Sequence, residues 1–292
     1  DMKALVCGEF ALSAPVQGGG SAHVSPLKTV SPLDAFGMRG IEVSYCRGYS
    51  PDPKQNSKLL REALDCATDG DVAIVFVGQP APAEGIDRET LDLPDEQNAL
   101  ISELTAAGHR VVVVLCSVGP IAMPWVNRVR GIIYAGLNGQ NGALAAVDAL
   151  YGRINPHGKL AETFPADLSD IGNDFGDERV LYRESIYVGY RYYDAIDRRP
   201  LFPFGHGLSF ADICYDDARA KRIDGERLEV TVSLTNKSMR DAYETVQVYV
   251  SDRTGRVMCA RKQLAGFAKV FVEGQTSTTA TVTLDKTAFE FF

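Results

Sequence analysis

The sequence is short of positive charge, of long apolar runs and of paired cysteines, and each shortage removes a class of function. Lys and Arg total 30 against 38 Asp and Glu, a net charge of −8. Such a surface repels polyanions, so nucleic acid is not an expected partner. The longest apolar runs are strand-length, far below the ~20 residues that cross a bilayer, so no membrane role is expected. Six cysteines, at 7, 46, 66, 116, 214 and 259, form no C-x-x-C pair. Spread through a chain this long, they read as reduced, buried thiols rather than a disulfide framework. The four histidines (23, 109, 157 and 206) lack any ligand spacing, so neither a metal nor a cofactor is expected. No leader-like segment opens "DMKALVCGEF", which points to the cytoplasm. Repeats and low-complexity tracts are also missing.

What is present is an apolar fraction of 45% over 292 residues, enough for a sizeable core and about two domains. Residues 1–165 alternate two kinds of signal. "KALVCGEF", "DVAIVFVG", "RVVVVLCSV" and "GIIYAG" are continuous apolar runs, as strands buried on both faces require. Between them, "SKLLREALDCATDG" carries Leu59, Leu60, Ala63, Leu64 and Ala67 at helical spacing, and "PDEQNALISELTAAG" opens with Pro94 and acids and stops at Gly108. This βα rhythm predicts an α/β sandwich with a mostly parallel sheet. Residues 166–211, rich in Tyr, Phe, Gly and Pro, read as a linker or junction. In 212–292 the period changes to two, as in Leu228, Val230, Val232 and Leu234 or Val246, Val248 and Val250, which predicts a small antiparallel β-sandwich.

Several stretches carry candidate chemistry. Glu84, between Ala83 and Gly85 in "APAEGIDRETLDLP", follows a buried strand. In open parallel sheets ligands bind outside the carboxyl ends of the strands, and small neighbours leave this carboxylate free to project. The plain alternative is a solvated loop residue. Asp87 and Arg88 follow, either as a local ion pair or as contacts to a polar substrate. The Gly-rich "VQGGGSAH" (16–23) lacks the Lys-Ser/Thr ending of a phosphate loop. "GLNGQNG" places Gly136, Gly139 and Gly142 before a helix, a spacing one residue away from a dinucleotide fingerprint. Glu162 stands at the fingerprint's acid distance with no clear strand to carry it. A tight strand-to-helix turn is the simpler reading, with a nucleotide-binding α/β protein as its rival. Trp125, just after two prolines in "GPIAMPW", is either a sugar platform or a packing residue. Ser21 and Ser117 lack the context of a nucleophile elbow. "YRESIYVGYRYYD" (182–194), with Glu184, reads as an ordered connection.

Taken together, these stretches resemble glycoside hydrolase family 3, the β-glucosidase type. The resemblance rests on "VQGGGSAHVSP", "AEGIDRETLDLPDEQNALI", "GPIAMPWVNRVRGIIYAGLNGQNGALAAVDALYGRINPHGKLAETFP", "IYVGYRYYD" and above all "FPFGHGLSF", whose order and spacing agree over nearly the whole chain. It implies that 212–292 is fibronectin type III-like, with its last strand shortened or missing after Phe292. It implies that Glu84 is the general acid/base of a retaining β-glucosidase. Asp87 and Arg88 match loop residues that follow it, and "GLNGQNG" matches a structural turn. The family's TIM barrel, which carries the aspartate nucleophile and most of the sugar pocket, has no counterpart in these residues. The resemblance therefore implies a substrate, a β-linked glucoside or oligosaccharide, shared with a barrel in the same or a partner chain, and a segment inactive alone. A non-catalytic carbohydrate- or protein-binding module is the competing reading.

Overall fold

A computed structural model describes residues 4–67, 72–79, 86, 88–171 and 181–290. They form two compact units, 1–153 with 166–168, and 154–165 with 169–292.

The first unit is built on a parallel sheet of five strands: β1 (Ala4–Cys7), β2 (Ser44–Cys46), β3 (Val72–Gly78), β4 (Arg110–Cys116) and β5 (Gly131–Tyr134), in the order β2-β1-β3-β4-β5. Val75, Phe76, Val77, Val113, Val114 and Leu115 are all buried, as expected where both faces of a strand are covered. Alternate residues face opposite ways. Val6, Ile74, Phe76 and Val114 pack with Phe36 and Val147. These come from α1 (Pro32–Met38) and α4 (Gly142–Leu150). The other face takes α2 (Pro53–Cys66) and α3 (Asp95–Ala106), whose Ala63, Leu100, Ile101 and Leu104 are fully buried. Helix starts follow local chemistry. The Ser31 hydroxyl accepts from Asp34 N and the Asp52 carboxylate from Lys54 N, each just ahead of a proline at the first helical position.

The second unit holds α5 (Tyr190–Ile196) and five antiparallel strands: β6 (Ile213–Arg222), β7 (Leu228–Asn236), β8 (Ala242–Val250), β9 (Gln263–Val272) and β10 (Ser277–Leu284). They form one sheet of order β10-β7-β6 and a second of β8-β9, enclosing Val232, Leu234, Val246, Val272 and Ala280. Two strands here are weakly marked in the sequence. β6 lies on an edge and is exposed from Tyr215 to Arg222, so it carries no apolar alternation. β9 is interrupted by Gly266, where an added methyl group would stand 2.8 Å from Val282 and 2.9 Å from Leu284. At the entry to this unit, Leu160 N donates to His206 O and Gly205 N to Leu160 O, both at 2.8 Å. Lys159 reaches the Gly207 carbonyl (2.8 Å) and the buried Glu244 carboxylate (3.1 Å), which also accepts from Tyr215.

Candidate active site

The strand order places a topological switch point between β1 and β3, because β2 lies to one side of β1 and β3 to the other. In such sheets the usual ligand position is where the loops diverge from the carboxyl ends at the switch point. Both loops singled out in the sequence leave from this place: 16–23 after β1, and the Glu84 segment directly after β3.

At the switch point the backbone is drawn tightly together. Gly8 follows β1 at φ +109°, and a methyl group added there would sit 2.2 Å from the Phe76 carbonyl oxygen. Only glycine permits both that dihedral and that approach. Gly8 N donates to the carbonyls of Cys46 (3.3 Å) and Arg47 (3.1 Å), joining β1 to the end of β2. Buried Tyr49 joins the turn after β1 to β3, since its hydroxyl donates to Phe76 O (3.0 Å) and accepts from Phe10 N (3.3 Å). Burial holds its phenol far above the ordinary range, so it stays a neutral donor.

The segment after β3 has a fixed neck. Gly78 N donates to the side-chain oxygen of buried Gln97 on α3 at 2.8 Å. Arg88 donates to Oε1 of Gln79 and to the Pro120 carbonyl, both at 2.9 Å. The amide of Gln79 donates in turn to the carbonyls of Thr90 and Asp92. Past the neck, Leu91 and Leu93 are buried, and Ala122 N bonds Leu91 O at 2.9 Å. Through one guanidinium nitrogen, Arg88 ties the loop after β3 to the loop after β4. Glu84 and Asp87 lie outside the described residues.

Other sequence candidates resolve differently. Trp125 is fully buried, and its indole N–H donates to Asn98 Oδ1 at 2.8 Å, so it is a packing residue and no sugar platform. Ser117 is buried and donates to the Gly119 carbonyl (3.1 Å). The "GLNGQNG" turn joins β5 to α4, with Gly139 at φ +63° and its N–H given to Val16 O at 2.9 Å. The hollow beside it, lined by Val16, Gly136, Asn138 and Gly139 among others, measures about 30 Å³. Tyr190 of the tyrosine-rich stretch packs on Phe204 and Tyr249 (5.2 and 5.8 Å) and accepts from Leu264 N. Glu184, in the same stretch, is half-buried. Among the described residues, no group of three or more His, Cys, Asp or Glu is placed to hold a metal, and no helix is long and apolar enough to cross a membrane.

Gln79 and Gln97 went unnoticed in the sequence. Gln97 had a signal: it shares helical spacing with buried Leu100, Ile101 and Leu104, so a polar group stands at a core position.

A model of the glycosyl hydrolase family 3 C-terminal domain matches residues 1–210. The chain belongs to glycoside hydrolase family 3. A fibronectin type III-like domain model matches 244–292. Among relatives, an exo-alpha-(1->6)-L-arabinopyranosidase of Bifidobacterium breve is 39% identical over 99% of the chain, and thermostable beta-glucosidase B of Acetivibrio thermocellus is 37% identical over 98%. The chain spans only 39% and 40% of those proteins. The crystal structure of a Bifidobacterium adolescentis GH3 beta-glucosidase superposes with a TM-score of 0.91 at 38% identity, covering 98% of this chain and 44% of that one. The family 3 α/β sandwich and the small fibronectin type III-like sandwich are therefore both present.

Proposed function

We propose that this chain is the C-terminal portion of a retaining glycosidase of the β-glucosidase type, with Glu84 as its general acid/base. The observation that carries the reading is the position of the Glu84 segment. It leaves the carboxyl end of β3 at the switch point, and Arg88, Gln79 and Gln97 pin its neck.

A retaining mechanism uses two carboxyl groups about 5–5.5 Å apart, one attacking the anomeric carbon and one protonating the leaving oxygen. After the covalent intermediate forms, the second group deprotonates the incoming water. A carboxyl on a loop of small residues, rooted in a rigid neck, suits the second role, because it reaches a sugar held by another domain while its base stays in register. The nucleophile and the sugar pocket belong, in this reading, to a TIM barrel outside the 292 residues. The two relatives support that division. Both align over the full chain, yet one is named for an arabinopyranoside and the other for a glucoside, as expected if specificity is set largely elsewhere. Arg88 acts in this reading as a positioning residue, and Asp87 as its neighbour on the same loop.

Without an attacking carboxylate the covalent step has no nucleophile. The isolated chain is expected to fold and to leave aryl β-glucosides intact. In the complete enzyme, Glu84→Ala is expected to depress turnover most for poor leaving groups, with azide partly restoring it for good ones. Robust hydrolysis by the purified chain would overturn the division of labour. An unchanged rate for Glu84→Ala on a poor leaving group would remove Glu84 from its role.

A further inference from the structure

Two cysteines stand at neighbouring element ends on the edge of the parallel sheet. Cys46 is the last residue of edge strand β2, and Cys66 is the last residue of α2. The Cys46 thiol points at the closing turn of that helix, lying 3.9 Å from the carbonyl of Glu62. Glu62 stands one helical turn before Cys66, so the Cys46 thiol lies against the turn that Cys66 closes. Both thiols are free, Cys66 exposed and Cys46 half-buried.

We propose that Cys46 and Cys66 are a modification site that closes to a reversible disulfide on reaction with a low-molecular-weight disulfide. Cys66, open to solvent, supplies the first thiolate. It attacks one sulfur of the small disulfide, forms a mixed disulfide and expels one small thiolate. Cys46 then loses its proton, attacks the Cys66 sulfur and expels the second thiolate, so two protein thiols are oxidised and one small disulfide becomes two small thiols. The order follows from the surroundings. Burial first, then the hydrogen bond to Cys66 and the charges of Cys66 and Glu62, push the Cys46 thiol up to about 12, which makes it a poor first attacker. Once Cys66 is in the mixed disulfide its charge is gone, and the target sulfur is held beside Cys46. The one rival partner is Cys7, which faces Cys46 in register on β1. Cys7 is fully buried, and burial above all holds its thiol far above the ordinary range.

The bond would tie the end of α2 to the end of β2, where the Cys46 carbonyl and that of the next residue, Arg47, hold Gly8 N. The inference is independent of the glycosidase reading.

The test incubates the full 292-residue chain with oxidised glutathione, alkylates remaining thiols without denaturing, and maps the peptides by mass spectrometry. The expected product has Cys46 joined to Cys66, two fewer alkylatable thiols, no retained glutathione, and full reversal by dithiothreitol. Cys46→Ser is expected to trap glutathione on Cys66, and Cys66→Ser to leave Cys46 unmodified; melting of the reduced forms confirms that both variants are folded. Glutathione persisting on Cys66 of the unaltered chain, or Cys46 joined to Cys7, would overturn the proposal. So would Cys46 reacting at an undiminished rate in Cys66→Ser.

Discussion

Arg88 and Gln79 are nine residues apart in sequence and joined side chain to side chain, Nη1 to Oε1 at 2.9 Å, closing the segment between them at its base. The same nitrogen reaches the Pro120 carbonyl, so one guanidinium holds the carboxyl ends of two neighbouring strands together. Removing it should loosen the placement of Glu84 without touching the sheet. In the complete enzyme, Arg88→Ala is expected to lower kcat by about 10- to 100-fold on substrates with poor leaving groups, since small misplacements of a catalytic group carry penalties of that size. KM should change little, and a good leaving group should hide most of the loss. A matched rise in KM with kcat intact would instead make Arg88 a substrate contact.

Trp125 tests the distinction between packing and recognition. Trp125→Phe keeps a ring in place but leaves Asn98 Oδ1 without its donor. A lost partner for a partly buried acceptor costs about 1–2 kcal/mol. Urea unfolding of the first unit should register that loss. Sugar affinity and turnover of the complete enzyme should not change; a selective fall in either would return Trp125 to the binding surface.

His206 gives the second unit a pH dependence. Burial first, and the Lys159 charge second, hold its imidazole below the ordinary value of 6.5. As pH falls through 6.5 the unfolded chain takes up a proton that the folded chain resists, so stability is full above that pH and declines below it. The aspartates whose carboxyls are lowered, Asp224, Asp252 and Asp285, titrate below 3.8 and do not contribute in this window. The melting temperature of the second unit should drop between pH 7 and pH 5, and His206→Gln should flatten that slope. An unaltered slope in the variant would assign the dependence to another group.

The readings that succeeded at the level of sequence were those carried by local pattern. β3 and β4 are unbroken apolar runs because helices cover both faces, and that burial is written into every position. β7 and β10 alternate because one face packs on the core and the other meets water. β6 kept no such pattern, since an exposed edge strand has little to bury. The neck of the Glu84 segment was equally silent. Gln79, Arg88 and Gln97 are ordinary polar residues until the fold sets them against carbonyls and amides from α3 and the β4 loop.

Composition and periodicity thus determined that the chain has a parallel α/β layer, a small antiparallel sandwich, and a carboxylate just beyond a buried strand. Strand order decided the rest. It placed β1 beside β3, brought Gly8 against Phe76, and set the Cys46 thiol against the Glu62 carbonyl at the end of α2. Those relations join residues far apart in the chain, and a periodic pattern reports only which face a residue buries, not which residue lies across from it.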